Sequence, residues 1–266
     1  MYQSKFDKII QEALQGVDPK KVQDVIGKSF DQTVVSDLLA KQSIKGKRAN
    51  LKWGDCPTCP FGQVCDASTR GNLVDTNSII NDLKQKIPAL FQNDIKLNVG
   101  PNKRVVITFD PAGGGSVINV PRFMNRNLGP VIILHEIAHK LYSIDILTND
   151  ILEHPYAVEI FTLARTIEDA RIEKIMEQDY PEAAQVFKER APFIVPIYKS
   201  HTPTPFSKIV DDLFLYLRGY APSFSGPKEF VNLAQQFIAA GNDRDLKVKA
   251  IIALGEAIMK HLTPVS

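Results

Sequence analysis

Five consecutive residues carry the densest chemistry in the chain: His135-Glu136-Ile137-Ala138-His139, an H-E-x-x-H motif. On a helix, residues four apart share one face, so His135 and His139 can offer imidazole nitrogens to a single Zn²⁺. Glu136 between them is then placed to contact a metal-activated water as general base, without being a ligand. The chain has only five histidines, which makes this arrangement a specific signal. The motif follows Val131-Ile132-Ile133-Leu134, and polar side chains set among such residues are costly to bury without partners. A catalytic zinc site usually has three protein ligands and an open position, so one more ligand is needed.

Carboxylates lie downstream: Glu159, then Thr166-Ile167-Glu168-Asp169-Ala170-Arg171-Ile172-Glu173. With these residues the sequence resembles the gluzincin class of zinc metallopeptidases, in which a glutamate on a later helix completes the site. More closely, H-E-I-A-H followed by I-E-D-A-R-I-E-K and Tyr180-Pro181 is similar to the peptidase-like domain of phage proteins and of cobalt-chelatase-type proteins with von Willebrand A modules. The resemblance covers about residues 130–190. It implies a zincin-like fold, Zn²⁺ as cofactor, and Glu168 as the third ligand, with Arg171 orienting it. Asp169 and Glu159 stay open as alternatives. Asp169 could instead hydrogen-bond a ligating histidine, and Glu159 stands at a separation from His139 similar to that of thermolysin-like peptidases. Arg165 and Lys140 depart from the related motifs, where asparagine and an uncharged residue are expected. Glu173 and Arg171 read equally well as a solvated charge network on a helix.

Peptide hydrolysis also needs a donor for the developing oxyanion. Tyr198, His201 and Tyr142 are the candidates. The stretch Ser116 to Val120 could present a strand edge to an extended peptide, or lie inside a sheet. Cys56, Cys59 and Cys65 form a C-x2-C-x5-C cluster that resembles half of a zinc knuckle. A second metal site there would need a fourth ligand, with Asp55, Asp66, His154 and His201 as candidates; a disulfide or free thiols are the other readings.

The elements that must position these groups are legible from periodicity. Residues 1–50 show helical spacing at Phe6, Ile9, Ile10 and Leu14, then at Val22, Val25 and Ile26, then at Val34, Leu38 and Leu39, which predicts a helical appendage. Residues 51–75 read as a cysteine-bearing connector, entered through the basic run Lys41, Lys45, Lys47, Arg48 and Lys52. The metallopeptidase domain is expected over 76–266. It opens with a helix from Thr76 to about Leu90, and short strands follow around Ile95–Val99, Val105–Phe109 and Val117–Ile118. Pro130 suits the first turn of a helix reaching about Tyr142. A long helix after Pro155 continues to about Glu177, and a mostly helical remainder is interrupted at Pro192–Pro205 and Pro222–Pro227. The fold class is α+β.

Composition bounds the rest. Over 266 residues, 44% hydrophobic and 23% charged content describes a folded chain with a sizeable core. A net charge of +2 argues against nucleic acid as a partner, apart from the local basic run. No apolar run approaches the length of a membrane span, the first residues lack a signal-peptide pattern, and the clustered cysteines suit a reducing compartment. The expectation is a cytoplasmic zinc endopeptidase acting on a protein or peptide, in a host cytoplasm or virion if phage-encoded. The rival is a non-catalytic zincin-like structural or assembly protein with viral assembly partners.

Overall fold

The computed structural model describes residues 64, 67–101, 105–109, 116–144, 146, 148–200 and 204–263. The expected N-terminal appendage, the basic run, the three cysteines and His201 lie outside the described residues. Asp75 opens the first helix. Its carboxylate accepts from Asn77 N at 2.8 Å, capping α1 (Thr76–Lys86), and Ile79, Ile80 and Leu83 turn inward while Lys84 and Lys86 close the last turn. The helix stops earlier than expected, and a separate 3-10 turn covers Leu90–Gln92.

Two small sheets and a majority of helix make the architecture α+β. Strand β1 (Leu73–Asp75) pairs antiparallel with β5 (Phe123–Asn125). The other sheet has the order β2-β4-β3, with β2 (Lys96–Gly100) parallel and β3 (Val106–Phe109) antiparallel to β4 (Ser116–Pro121). Strand β4 is therefore the middle strand, hydrogen-bonded on both sides, with Ile118 and Val120 in the core. This corrects the reading of Ser116 to Val120 as an edge for a peptide, because no unpaired ladder remains to receive one.

Helix α2 (Gly129–Tyr142) starts with Pro in its first turn, and residues 131–139 are all buried. A helix buried around its whole circumference belongs inside a core. Its start lies so close to α1 that a Cβ on Gly129 would fall 2.6 Å from Ile79 Cδ1. The short α3 (Asn149–Leu152) leads into α4 (Ala157–Asp179), which packs against α2 on one side and against α5 (Pro181–Ser200), α6 (Pro205–Leu217), α7 (Lys228–Ala239) and α8 (Arg244–Leu262) elsewhere. Helix α5 runs through Pro192 and Pro196, where an interruption was expected. Both prolines are exposed while Ala183, Val186, Phe187, Ile194 and Tyr198 form the buried stripe. The ring clashes and lost donors fall on the solvent side, and packing holds the other face.

No helix among the described residues is long and apolar enough to cross a membrane.

Candidate metal centre

Helices α2 and α4 meet with His135 and His139 facing a polar stripe, Arg165, Asp169 and Glu173, spaced four residues apart along α4. One stripe of a helix faces one neighbour. His135 Nε2 and His139 Nε2 are 3.1 Å apart, with the rings edge-on. Asp169 Oδ1 lies 3.1 Å from His139 Nε2. One donor atom from each of His135, His139 and Asp169 falls within 4.8 Å of the others, and all three side chains are buried. The three residues could hold a metal ion.

The outer nitrogens show how the pair is oriented. His135 Nδ1 contacts Glu173 Oε1 at 2.8 Å. A carboxylate only accepts, so Nδ1 carries the proton and the Nε2 lone pair points toward His139. His139 Nδ1 lies 2.8 Å from Ser143 Oγ, at the C-cap of α2. A cation placed among them would take both imidazole nitrogens and the carboxylate oxygen at once, and the two 3.1 Å spacings are near the about 3.3 Å between donor atoms around a tetrahedral zinc.

Behind Glu173 stands Arg218, the C-cap residue of α6, with Nε 2.6 Å from Glu173 Oε2. The angles at this contact miss a hydrogen bond, so the pair is held by charge. Arg218 Nη2 also donates to Glu177 Oε1 at 2.6 Å, and its guanidinium lies over the Phe187 and Tyr220 rings. Burial works against its charge, yet the Glu173 carboxylate and its neighbours keep its pKa above the usual arginine range.

The carboxylate brought to the histidines is Asp169, where the family likeness led to Glu168. Successive helical residues point about 100° apart, so only one of the two can face α2. Glu168 faces other partners: Arg171 Nε and Nη2 donate to it at 2.8 and 2.7 Å, and Lys247 Nζ of α8 at 2.7 Å. Both oxygens are engaged in a fully buried cluster, and Arg171 Nη2 also donates to Tyr142 O at 2.7 Å. Glu159, in the first turn of α4, lies about 15 Å along the helix axis from Asp169. The solvated-network reading of Arg171 and Glu173 is overturned as well, because both are buried.

Glu136 is 2% exposed. Burial raises its pKa above the ordinary carboxylate value, and His135, His139 and Arg165 counter only part of that rise. Asp169 goes the other way: burial pushes it up, but the close contact with His139 and the charges of His135, His139 and Arg165 hold it below its ordinary value. Arg165 is itself buried, over the Phe161 ring. Lys140 turns to the Asp94 carbonyl.

Of the oxyanion candidates, Tyr198 is a core residue whose ring stacks on Phe214. The Tyr142 hydroxyl donates to Asp179 at 2.8 Å, and burial followed by that carboxylate raises its pKa. His154, one candidate for the cysteine cluster, has Nε2 3.1 Å from Glu256 Oε1 and accepts from Tyr156 N through Nδ1.

Sequence reasoning did not single out Ser143, Arg218 or Lys247, and it gave Glu173 no definite place. The signal for Glu173 was present: Arg165, Asp169 and Glu173 are one i, i+4, i+8 series. Arg218 and Lys247 follow α4 by dozens of residues and had no local signal. No family model, curated protein or solved structure matches the chain.

Proposed function

We propose that the chain is a zinc-dependent peptide hydrolase in which His135, His139 and Asp169 hold the ion and Glu136 is the general base. The carrying observation is the convergence of two imidazole nitrogens and one carboxylate oxygen, with a non-ligating glutamate next to the first histidine. Two nitrogens and one oxygen are a zinc donor set of the kind that leaves a fourth position open. When bound, zinc supplies Lewis acidity toward a water and a carbonyl oxygen.

The chain's own groups do the rest. Glu173 keeps the proton on His135 Nδ1 and so aims Nε2 inward. Glu136 takes a proton from water and returns it to the leaving amine. Arg165 adds positive charge that both Glu136 and Asp169 feel. The zincin-like likeness of the motif, and with it a protein or peptide substrate in a cytoplasm or a phage particle, belongs to this proposal.

One observation favours a second reading, a non-catalytic assembly component that keeps its metal for stability. His135, Glu136 and Asp169 are each at most 2% exposed, and His139 is 8% exposed, whereas catalysis requires substrate to reach the ion. A purely structural site, however, has no use for Glu136. The deciding experiment loads wild type and Glu136→Gln with zinc, verifies metal content by elemental analysis, and assays both on a diverse peptide mixture and on co-purifying proteins. The hydrolase reading expects equal zinc and a loss of cleavage of about 10²-fold or more in Glu136→Gln. Zinc-loaded wild type that cleaves nothing beyond what the variant cleaves would replace it with the assembly reading.

A further inference from the structure

A cavity of about 510 Å³ is lined by α1, the turn after β5, the first turn of α2, and α5. Its charged lining comes from separate segments: Lys86 ends α1, Arg126 follows β5, Arg190 belongs to α5, and Asp82 is the single carboxylate among them. Two positive charges are thus uncompensated within the lining. Glu189 also feels Lys86 and Arg190, but it is fully exposed, bonded to Gln185, and does not line the cavity.

A second observation concerns Arg190. Its Nε is sealed from solvent and has no hydrogen-bond partner, and Nη1 reaches only Asn127 Oδ1 at a long 3.4 Å. The side chain as a whole is half-buried at the cavity wall, so the guanidinium is held there with one weak protein acceptor and keeps hydrogen-bonding capacity for an anion. The first turn of α2, which has no side-chain cap, borders the same space through Pro130, so the positive end of the helix adds to the field. Val74, Ile79, Leu83 and Val186 supply an apolar floor.

We infer that this cavity binds a small molecule carrying a phosphate monoester on an apolar body. A dianion matches the two uncompensated charges, arginine and lysine are the side chains that recognise phosphate, and the floor accepts the remainder of the molecule. This site is independent of the metal centre and of the hydrolase reading.

The test uses the full chain treated with EDTA, so that phosphate has no ion to meet, and titrates it calorimetrically with phenyl phosphate at ionic strength matched with chloride. Saturable one-site binding is expected, with inorganic phosphate weaker. Lys86→Gln combined with Arg126→Gln should weaken phenyl phosphate by about tenfold or more, and His139→Ala should leave it unchanged. Arg190→Gln should weaken it further. If that variant unfolds, the Lys86/Arg126 pair decides alone, since both side chains are exposed. Absence of saturable binding, binding unchanged in the double variant, or equal loss in His139→Ala would overturn the inference.

Discussion

His135 and Glu173 stand 38 residues apart in the chain and meet at 2.8 Å with both side chains removed from solvent. The contact decides which imidazole nitrogen faces the centre, and it ties that choice to Arg218 on the far side of Glu173. Carboxylates behind ligating histidines typically hold about 10- to 100-fold in metal affinity. Glu173→Gln should therefore lower zinc affinity by about that factor in competition with a chromophoric chelator. It should also destabilise the fold, because the Arg218 guanidinium is left beside an amide. Adding Arg218→Met should restore part of the stability in urea titrations without restoring affinity, since a buried pair removed together costs less than one partner removed alone.

Asp169 and Glu168 are adjacent yet separable. Asp169→Asn should reduce zinc per folded chain, as read by elemental analysis, while the cluster around Glu168 stays intact. Glu168→Gln should do the reverse, retaining zinc in the folded fraction and lowering unfolding free energy by about 3–5 kcal/mol, because Arg171 and Lys247 lose their shared buried counter-charge. Zinc lost in Glu168→Gln and kept in Asp169→Asn would return the third ligand to Glu168.

Glu136 and Asp169 give stability opposite slopes with pH in the metal-free protein. Burial raises the Glu136 carboxyl above its ordinary 4.5, so the folded chain holds that proton more tightly than the unfolded chain. Its contribution is full below 4.5 and is lost as pH rises through the folded value. Glutamine cannot lose it. In EDTA, the thermal midpoint of Glu136→Gln should therefore gain on wild type as pH rises from acid toward neutral. Asp169, held below its ordinary 3.8 despite its burial, contributes above that value and loses the contribution as pH falls through the folded one. Asp169→Asn should differ from wild type least at the acid end.

Gly255 is where α8 approaches α4, and a Cβ there would lie 2.4 Å from Ile160 Cγ1. Alanine improves helix propensity by about 1 kcal/mol, but overpacking a fully buried contact costs about 1–3 kcal/mol. Gly255→Ala should lower stability in urea, and the same change in an Ile160→Ala background should be neutral or stabilising. Additive effects would show that the approach is not what selects glycine.

The helices that hold the histidines and their carboxylate were readable because each announces itself locally. Pro130 opens α2 within one residue of the expected start, and the stretch after Pro155 becomes α4 nearly as drawn. Strands β1 and β5 escaped notice because each has three residues, with Leu73 and Phe123 exposed, too little to display alternation. Proline was over-read in α5, where the tertiary face outweighs two local penalties. Which of Glu168 and Asp169 faces the histidines depends on how one helix is rotated against its neighbour, and the partners that Glu168 and Glu173 meet in that orientation, Lys247 and Arg218, have no sequence proximity to announce them.

Those two cations carry an implication for biosynthesis. Glu173 and Glu168 of α4 leave the ribosome roughly 40 to 80 residues before Arg218 and Lys247, their long-range basic partners, whereas Arg171 reaches Glu168 from the same helix. A nascent chain that ends before Arg218 therefore carries Glu173 without its buried counter-charge, and the last of these cations to be made comes from α8.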